Sequence, residues 1–207
     1  MLRPHDTVVA LKLGATYKFL HDREQYPEKI DLVSRVGPIN IHTDYRGLGG
    51  SLGISHGEIG NSIKRLLESK LIVPAAHEAF YIGLPYQLVI PNMKDWLLCG
   101  IKFYLPAATQ SFGQGIPTSW SNPDVQSMMV PRDPPHVWLS PGGKVAGEGV
   151  VPFYAKQPLA ATNDRNLHYI LSLIDAVRLG KPRELKIAKE LISEFLDRVS
   201  RAQFPGE

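Results

Sequence analysis

The side chains best suited to binding chemistry lie in one short stretch of this chain. Ser55-His56-Gly57-Glu58 has the spacing of a capping box, in which the serine hydroxyl and the glutamate carboxylate cap each other's amides. Apolar residues then recur every three or four positions from Ile59 to Leu71, which predicts a helix beginning at His56. The positions on the outer side of this helix are His56, Gly57, Gly60, Asn61, Lys64 and, towards the flank, Arg65.

These outward residue types suit a nucleic acid. An asparagine such as Asn61 can pair with both exposed edge atoms of adenine, and His56 can donate to or accept from a purine edge. Lys64 and Arg65 suit phosphates, which lysine and arginine commonly contact. The Ser55 hydroxyl and the unpaired amides of the first helical turn form a second anion site, because a helix N-terminus attracts negative charge.

Other chemistries lack a motif in the sequence. Phosphate-loop, His-Glu-x-x-His, paired-cysteine and Gly-x-Ser-x-Gly patterns are absent, and Gly113-Gln114-Gly115 lacks the third glycine of a dinucleotide fingerprint. The seven histidines are scattered, so none pairs with another at helical spacing to bind a metal. We therefore predict no catalytic residues, no metal and no cofactor, and not an enzyme. Cys99 is expected to be a small buried hydrophobe.

Two further groups of residues leave alternatives open. Six aromatic residues can line an effector pocket or pack in a core, and we favour packing in a core. They are Tyr104, Phe112, Trp120, Trp138, Phe153 and Tyr154. Asp175 and Arg178 lie three positions apart on a predicted helix. They can form an exposed ion pair, or they can link the last two helices. His136 and His168 are expected to be hydrogen-bonded surface or packing residues.

The sequence also predicts the elements that position the outer side of the helix from His56. Thr43 or Asp44 can cap a helix over Tyr45–Leu52, and Gly53 supplies the left-handed residue that ends it. This helix and the one from His56 make a helix-turn-helix. After it, Ser69–Pro74 is predicted to be a helix end that leads into a strand, and together with the apolar run Phe80–Ile82 it could form a wing hairpin.

The rest of the chain alternates helices with irregular, glycine- and proline-rich stretches. Helices are predicted at Thr7–Leu20 (with Pro4 just outside), 31–36, Met93–Tyr104 (capped by Asn92), Asn166–Leu179 and from Pro182 onward. Brief strands are predicted at 39–41, at Val150–Phe153 and in a hairpin of Val137–Leu139 with Lys144–Ala146, and Pro106–Pro135 is expected to be a loop.

Composition narrows the class of protein. The chain has 207 residues, 43% of them hydrophobic and 21% charged, which predicts one folded domain or two small ones. The net charge of +3 is not gathered into a block, so no polyanion-binding tail is expected. A single cysteine excludes a disulfide framework and fits a reducing compartment. Without an 18-residue apolar run or a signal-peptide pattern, the chain is expected to be cytoplasmic, with no membrane contact.

The segment TDYRGLGGSLGISHGEIGNSIKRLLESKLI resembles the second and third helices of bacterial winged helix-turn-helix regulators of the MarR-like kind. GIPTSW, VWLSPGGKVAGEGVVPFY and LIDAVRLGKPRE are similar to a group of bacterial regulators with such an N-terminal domain. Gly57 and Gly60 depart from the family, which places serine, threonine or arginine there for DNA contact. The insertion between the first helix and Thr43 is also longer than usual.

Together these observations predict an α+β protein with a winged helix-turn-helix domain over residues 1–82 and a mixed domain over 83–207. The predicted function is sequence-specific double-stranded DNA binding as a transcriptional regulator. A homodimer is expected, because one helix reads only about four or five base pairs; the terminal helices or Met93–Tyr104 would form its interface. Thr43, Tyr45 and Arg46 join the predicted contact residues. The alternative is a protein–protein interaction module, such as an antitoxin-like protein or a complex subunit.

Overall fold

A computed structural model describes residues 1–25, 44–75, 84–130 and 133–204 and shows a mixed α+β fold, as predicted. The N-terminal elements are α1 (Pro4–Gln25), α2 (Tyr45–Leu52), α3 (His56–Glu68), β1 (Ile72–Pro74) and β2 (Tyr86–Leu88). β1 and β2 pair antiparallel, with Ile72 opposite Leu88. Among the helices within the described ranges, none is both long enough and apolar enough to cross a bilayer.

The second half of the chain begins with a continuous helical segment and ends with two long helices. α4 (Ile90–Asp95) continues through a π-helical turn (Trp96–Gly100) into α5 (Ile101–Tyr104). Next come β3 (Thr109–Pro117), a 3-10 turn (Ser119–Ser121), β4 (His136–Leu139) and β5 (Val145–Val150). The chain then forms α6 (Gln157–Thr162), α7 (Arg165–Leu179) and α8 (Pro182–Gln203).

β3, β4 and β5 close into a small barrel in which each strand pairs with the other two. β3 runs antiparallel to both partners, whereas β4 and β5 pair in parallel. The walls approach so closely that a Cβ at Gly143 would lie 2.2 Å from the Gly115 Cα, and a Cβ at Gly115 would lie 2.2 Å from the Trp138 carbonyl oxygen. Glycine is therefore needed both at Gly115 in β3 and at Gly143 in the connection between β4 and β5.

The barrel overturns two expectations. The stretch expected to be a loop contains β3, a strand of nine residues. The predicted hairpin of Val137–Leu139 with Lys144–Ala146 is also wrong, because these strands share a parallel contact and each makes antiparallel pairs with β3 instead. The turn residues between the two strands suggested a direct hairpin. Instead, β3, which comes earlier in the chain, forms the antiparallel pairs with both strands.

Several helix ends follow the sequence closely. The Asp44 carboxylate accepts from the Gly47 amide at 2.6 Å, and Gly53 ends α2 with a φ of +66°. Gly180 ends α7 with a φ of +49°, and Pro182 opens α8 at its first turn. Both left-handed positions suit glycine, which has no Cβ to clash with the carbonyl.

Other local predictions need correction. Pro4 is the first residue of α1 rather than a residue outside it. Asn92 does not cap its helix; its side-chain amide donates to the Lys70 carbonyl at 2.8 Å, and Val89 holds the cap position. Cys99 is exposed, because it lies on the outer side of the π-helical turn. Val151–Phe153 lies beyond the end of β5 and is not a strand.

Three predicted elements fall outside the described residues: the helix at 31–36, the strand at 39–41 and the wing strand at Phe80–Ile82. The strand that pairs with β1 is β2, several residues beyond that last prediction.

The buried hydrophobic residues form one cluster that draws on both halves of the chain. α1 lies at its centre and packs against α3, α7 and α8. The Lys12 ammonium of α1 bonds the Asp164 carboxylate, which also caps α7, at 2.6 Å with both side chains buried. The division at residues 82 and 83 stays a prediction.

Candidate nucleic-acid interface

The turn between α2 and α3 is built from backbone contacts as well as caps. The Ile54 amide donates to the Gly49 carbonyl at 2.8 Å, and the Ser55 hydroxyl accepts from the Glu58 amide at 3.3 Å. The inner face of α3 buries Ile59, Ile63 and Leu66, as the apolar spacing predicts. These contacts fix the direction in which the outer face of α3 points.

That outer face lies open to solvent. The exposed members of the predicted contact set are Tyr45, Arg46, Ser55, His56, Gly57, Asn61 and Lys64. Gly60 is half-buried, and Thr43 lies outside the described residues. The structure thus brings the side chains of α3 that suit bases and phosphates onto one accessible helix face.

The two glycines of this face occupy different surroundings. A Cβ at Gly57 would meet no atom within 4 Å, whereas a Cβ at Gly60 would lie 3.5 Å from the Tyr45 ring. The Tyr45 hydroxyl forms a 2.7 Å hydrogen bond with the Tyr86 hydroxyl. Burial and this bond raise the pKa of Tyr86 to about 12. Gly60 therefore leaves room for a tyrosine pair that links α2 to β2.

Arg65 does not face outward, contrary to the sequence prediction. Its guanidinium donates to both carboxylate oxygens of Asp6 at 2.7 Å and to Glu58 Oε1 at 2.7 Å. Ser62, which is fully buried, also donates to Asp6 Oδ1 at 2.6 Å. Arg65 thus joins α3 to α1. The sequence pattern placed Arg65 on the flank of α3 but could not show that the buried Asp6 lies next to it.

Glu58 belongs to the same cluster and makes only half of the predicted capping box. Its carboxylate, expected to return to the Ser55 amide, lies against Arg65, His5 at 2.9 Å and Arg3 at 3.2 Å. The Arg65 hydrogen bond is the main cause that lowers the pKa of Glu58 to about 2. Burial alone would raise the pKa of Asp6, but bonds from Arg65 and Ser62 lower it below the ordinary value.

His5, Asp6 and Glu58 place three potential metal-ligand atoms within 4.8 Å of one another. The Arg65 guanidinium already bonds both carboxylates with good geometry. Arg3 bonds Glu58 as well, so two guanidinium groups balance the two carboxylates and the cluster is satisfied as an ion-pair network.

The second half of the chain supports the back of the α2–α3 turn. The Tyr154 hydroxyl donates to the Leu52 carbonyl at 2.9 Å. A Cβ at Gly53 would lie 2.6 Å from the Lys156 Cδ, so the lysine side chain lies directly over the turn. From the sequence, Tyr154 is considered only for a core or a pocket and Lys156 is not considered, because their partners at the turn are about 100 positions away.

A buried polar network anchors α7 to the barrel. The Asp175 carboxylate accepts from Arg178 at 2.6 Å, from the Trp138 indole at 2.7 Å and from Thr118 at 2.9 Å. Burial raises the pKa of Asp175, and these three donors oppose that rise. The ion pair is therefore interior, and it ties α7 to the barrel rather than to α8.

The histidines and aromatic residues are largely used for packing. The His168 ring bonds the Pro117 carbonyl at 2.7 Å, and burial lowers its pKa. Tyr104 bonds the Leu2 carbonyl, and the Phe153 ring stacks under the Arg178 guanidinium. Of the six aromatic residues considered for a pocket, Trp120 lines a cavity.

Comparisons with models of protein families, with curated proteins and with solved structures found no match to this chain. The resemblance to MarR-like regulators stays an expectation from the sequence. The function of the chain is therefore inferred from the geometry of α2 and α3 and from the surfaces around them.

Proposed function

We propose that this chain is a double-stranded DNA-binding transcriptional regulator in which α3 enters the major groove. The observation that carries the proposal is the uncovered outer face of α3, with Ser55, His56, Asn61 and Lys64 exposed. Two helices, a tight turn and the following β1–β2 pair have the element order of a winged helix-turn-helix. The first turn of α3 then meets the base edges.

The charge distribution around α3 supports this proposal. Arg46 and Lys64 are exposed, and Lys70 follows at the C-terminal end of α3. Two nearby acids, Asp6 and Glu58, are paired with two arginines, Arg65 on the inner flank of the helix and Arg3 of the N-terminal segment. Two acids are exposed on these helices, Asp44 at the start of α2 and Glu68 at the end of α3. Phosphate contacts are therefore assigned to Arg46 and Lys64, and base contacts to His56 and Asn61.

We expect the active form to be a homodimer on a two-fold site. One recognition helix reads about four or five base pairs, too few to single out a genomic site. In a dimer, two copies of α3 would lie about 34 Å apart, one turn of the duplex. Light scattering at micromolar concentration should give twice the monomer mass; a strict monomer contradicts the dimer.

The test begins with selection of a preferred duplex from a randomised pool, followed by affinity measurements by fluorescence anisotropy at several salt concentrations. Lys64→Ala should weaken binding to all duplexes and reduce the slope of log affinity against log salt by about 1. Asn61→Ala should cost about 1–3 kcal/mol on the selected duplex and relax the preference at one base pair.

Lys186→Ala is the matched control, because this lysine is exposed on α8 rather than on α3. It should leave affinity and salt slope at their wild-type values. Wild-type affinity in both α3 variants would overturn the assignment of α3 as the recognition helix. Failure of the wild-type protein to bind any duplex would instead favour the alternative, in which the same exposed face binds a partner protein.

A further inference from the structure

A cavity of about 270 Å³ lies between the small barrel and the start of α8. Trp120 from the 3-10 turn, His136 from β4 and Glu148 from β5 line it from the barrel. Lys181 and Glu184 line it from the α7–α8 connection and the first turn of α8. Its lining includes no residue of α2 or α3, so the cavity is separate from the proposed DNA face.

The first observation that points to a ligand is the indole N–H of Trp120, which is unpaired within the described part of the chain. The other two tryptophans have partners for their indole N–H, Asp175 for Trp138 at 2.7 Å and Thr7 for Trp96 at 3.1 Å. The Trp120 N–H is buried and has no acceptor within the described residues. A buried donor left unpaired is costly, so a molecule in the cavity that offers an oxygen would complete this site.

The charges around the cavity favour a cation. Three carboxylates line it, those of Asp133, Glu148 and the buried Glu184, and Lys181 supplies the one ammonium among the described lining residues. The Trp120 and His136 rings lie with centroids 5.5 Å apart and planes tilted by 55°, and together they form an aromatic wall. Carboxylates beside an aromatic face are the usual surroundings of a bound organic ammonium group.

The backbone at the cavity is strained. Ser119, which also lines it, has a φ of +53°, a conformation that non-glycine residues rarely adopt. The surrounding contacts hold it there, since Thr118 donates to the buried Asp175 and the Asn122 amide donates to the Ser119 carbonyl. Strain of this kind concentrates at sites that bind ligands.

We propose that this cavity binds a small primary amine that also carries an oxygen acceptor. The ammonium group lies beside Glu148, and the oxygen accepts from the Trp120 indole N–H. Lys181 at the same cavity disfavours a second positive charge on the ligand. This binding does not depend on the proposed DNA contact, so each can fail without the other.

Four probes of similar size separate the chemical features: phenylalaninol, 3-phenylpropylamine, 3-phenylpropanol and 3-phenylpropionate. The three tryptophans give three indole N–H signals in a ¹⁵N-labelled sample, which report on the site directly. Phenylalaninol should shift the Trp120 signal at the lowest concentration and leave those of Trp96 and Trp138 in place. The simple amine should bind more weakly, the neutral alcohol more weakly still, and the anion not at all.

Glu148→Gln should weaken phenylalaninol binding about fivefold in calorimetry, as expected for a partly exposed ion pair. Glu190→Gln, an exposed acid elsewhere on α8, should leave it unchanged. Trp120→Phe should reduce the affinity for phenylalaninol to that for 3-phenylpropylamine. The proposal is overturned if amines leave the Trp120 signal in place, if the anion shifts it equally, or if Glu148→Gln binds like Glu190→Gln.

Discussion

Arg65 shows how one side chain joins two helices. Its guanidinium bonds both oxygens of Asp6, whose side chain is fully buried, and also Glu58 on its own helix. An arginine fork suits this geometry because it donates two parallel bonds to one carboxylate. The orientation of α3 relative to α1, and hence the presentation of the outer face, depends on this cluster.

We predict that Arg65→Ala destabilises the fold by about 3 kcal/mol, because it leaves the Asp6 carboxylate buried without its cation. Lys64→Ala, at the exposed neighbouring position, should change the free energy of unfolding by less than about 0.5 kcal/mol. Urea unfolding at pH 7 measures both. Equal stability of the two variants would show that the Arg65 pairs contribute nothing.

The same cluster predicts a pH dependence. The pKa values of Glu58 and Asp6 in the folded protein lie below their ordinary values of 4.5 and 3.8, Glu58 at about 2. Their contribution is therefore complete above about pH 5 and is lost as the pH falls towards about 2. The stability difference between wild type and Arg65→Ala should shrink over that window in unfolding experiments. A difference that stays constant down to pH 3 would contradict this account.

At the scale of elements, the α2–α3 pair depends on close backbone contact. A Cβ at Gly49 would lie 2.4 Å from the Ile54 carbonyl oxygen, whereas a Cβ at Gly50 would meet nothing within 4 Å. Both glycines belong to α2, so their helix propensities match. Substitutions at the two positions therefore distinguish the cost of a clash with the turn from the gain in helix propensity.

We predict that Gly49→Ala destabilises the protein by about 1–3 kcal/mol, because the added methyl forces α2 away from the turn. Gly50→Ala should stabilise it by about 0.5–1 kcal/mol, the usual gain of alanine over glycine in a helix. Thermal unfolding followed by circular dichroism measures both changes. If both variants gain stability, α2 and the turn are less tightly packed than the structure shows.

At the scale of the whole molecule, α1 connects the two halves of the chain. Its buried Lys12 bonds Asp164 at the start of α7, and its apolar face packs against α3, α7 and α8. The Tyr154 hydroxyl adds a contact to the α2–α3 turn. A continuous core of this kind predicts one cooperative unfolding transition.

We predict that Lys12→Met destabilises both halves together by about 3 kcal/mol, because the Asp164 carboxylate then stays buried without a cation. Asp164→Asn keeps the cap on α7, so the double variant should lose less than the sum of the single losses. Tryptophan fluorescence and circular dichroism should give coincident unfolding curves for every variant. Separate transitions would show that residues 1–82 and 83–207 unfold independently.

Local sequence chemistry by itself determined α2, α3 and the turn between them, because the determinants lie within a few residues of one another. The Asp44 cap, the left-handed Gly53 and the apolar stripe from Ile59 each act over one or two helical turns. The exposure of Asn61 and Lys64 followed from the same stripe.

Only the tertiary structure decided what lies opposite these residues. Arg65 occupies the flank of α3, but its inward turn depends on Asp6, 59 positions earlier. β3 has weak periodicity, and it became a strand because two later strands pair with it. The cavity at Trp120 likewise needs the barrel and α8 to meet. Contacts between distant segments carry no local signal, so composition and spacing predicted the helices of the proposed DNA face but neither its anchoring cluster nor the amine cavity.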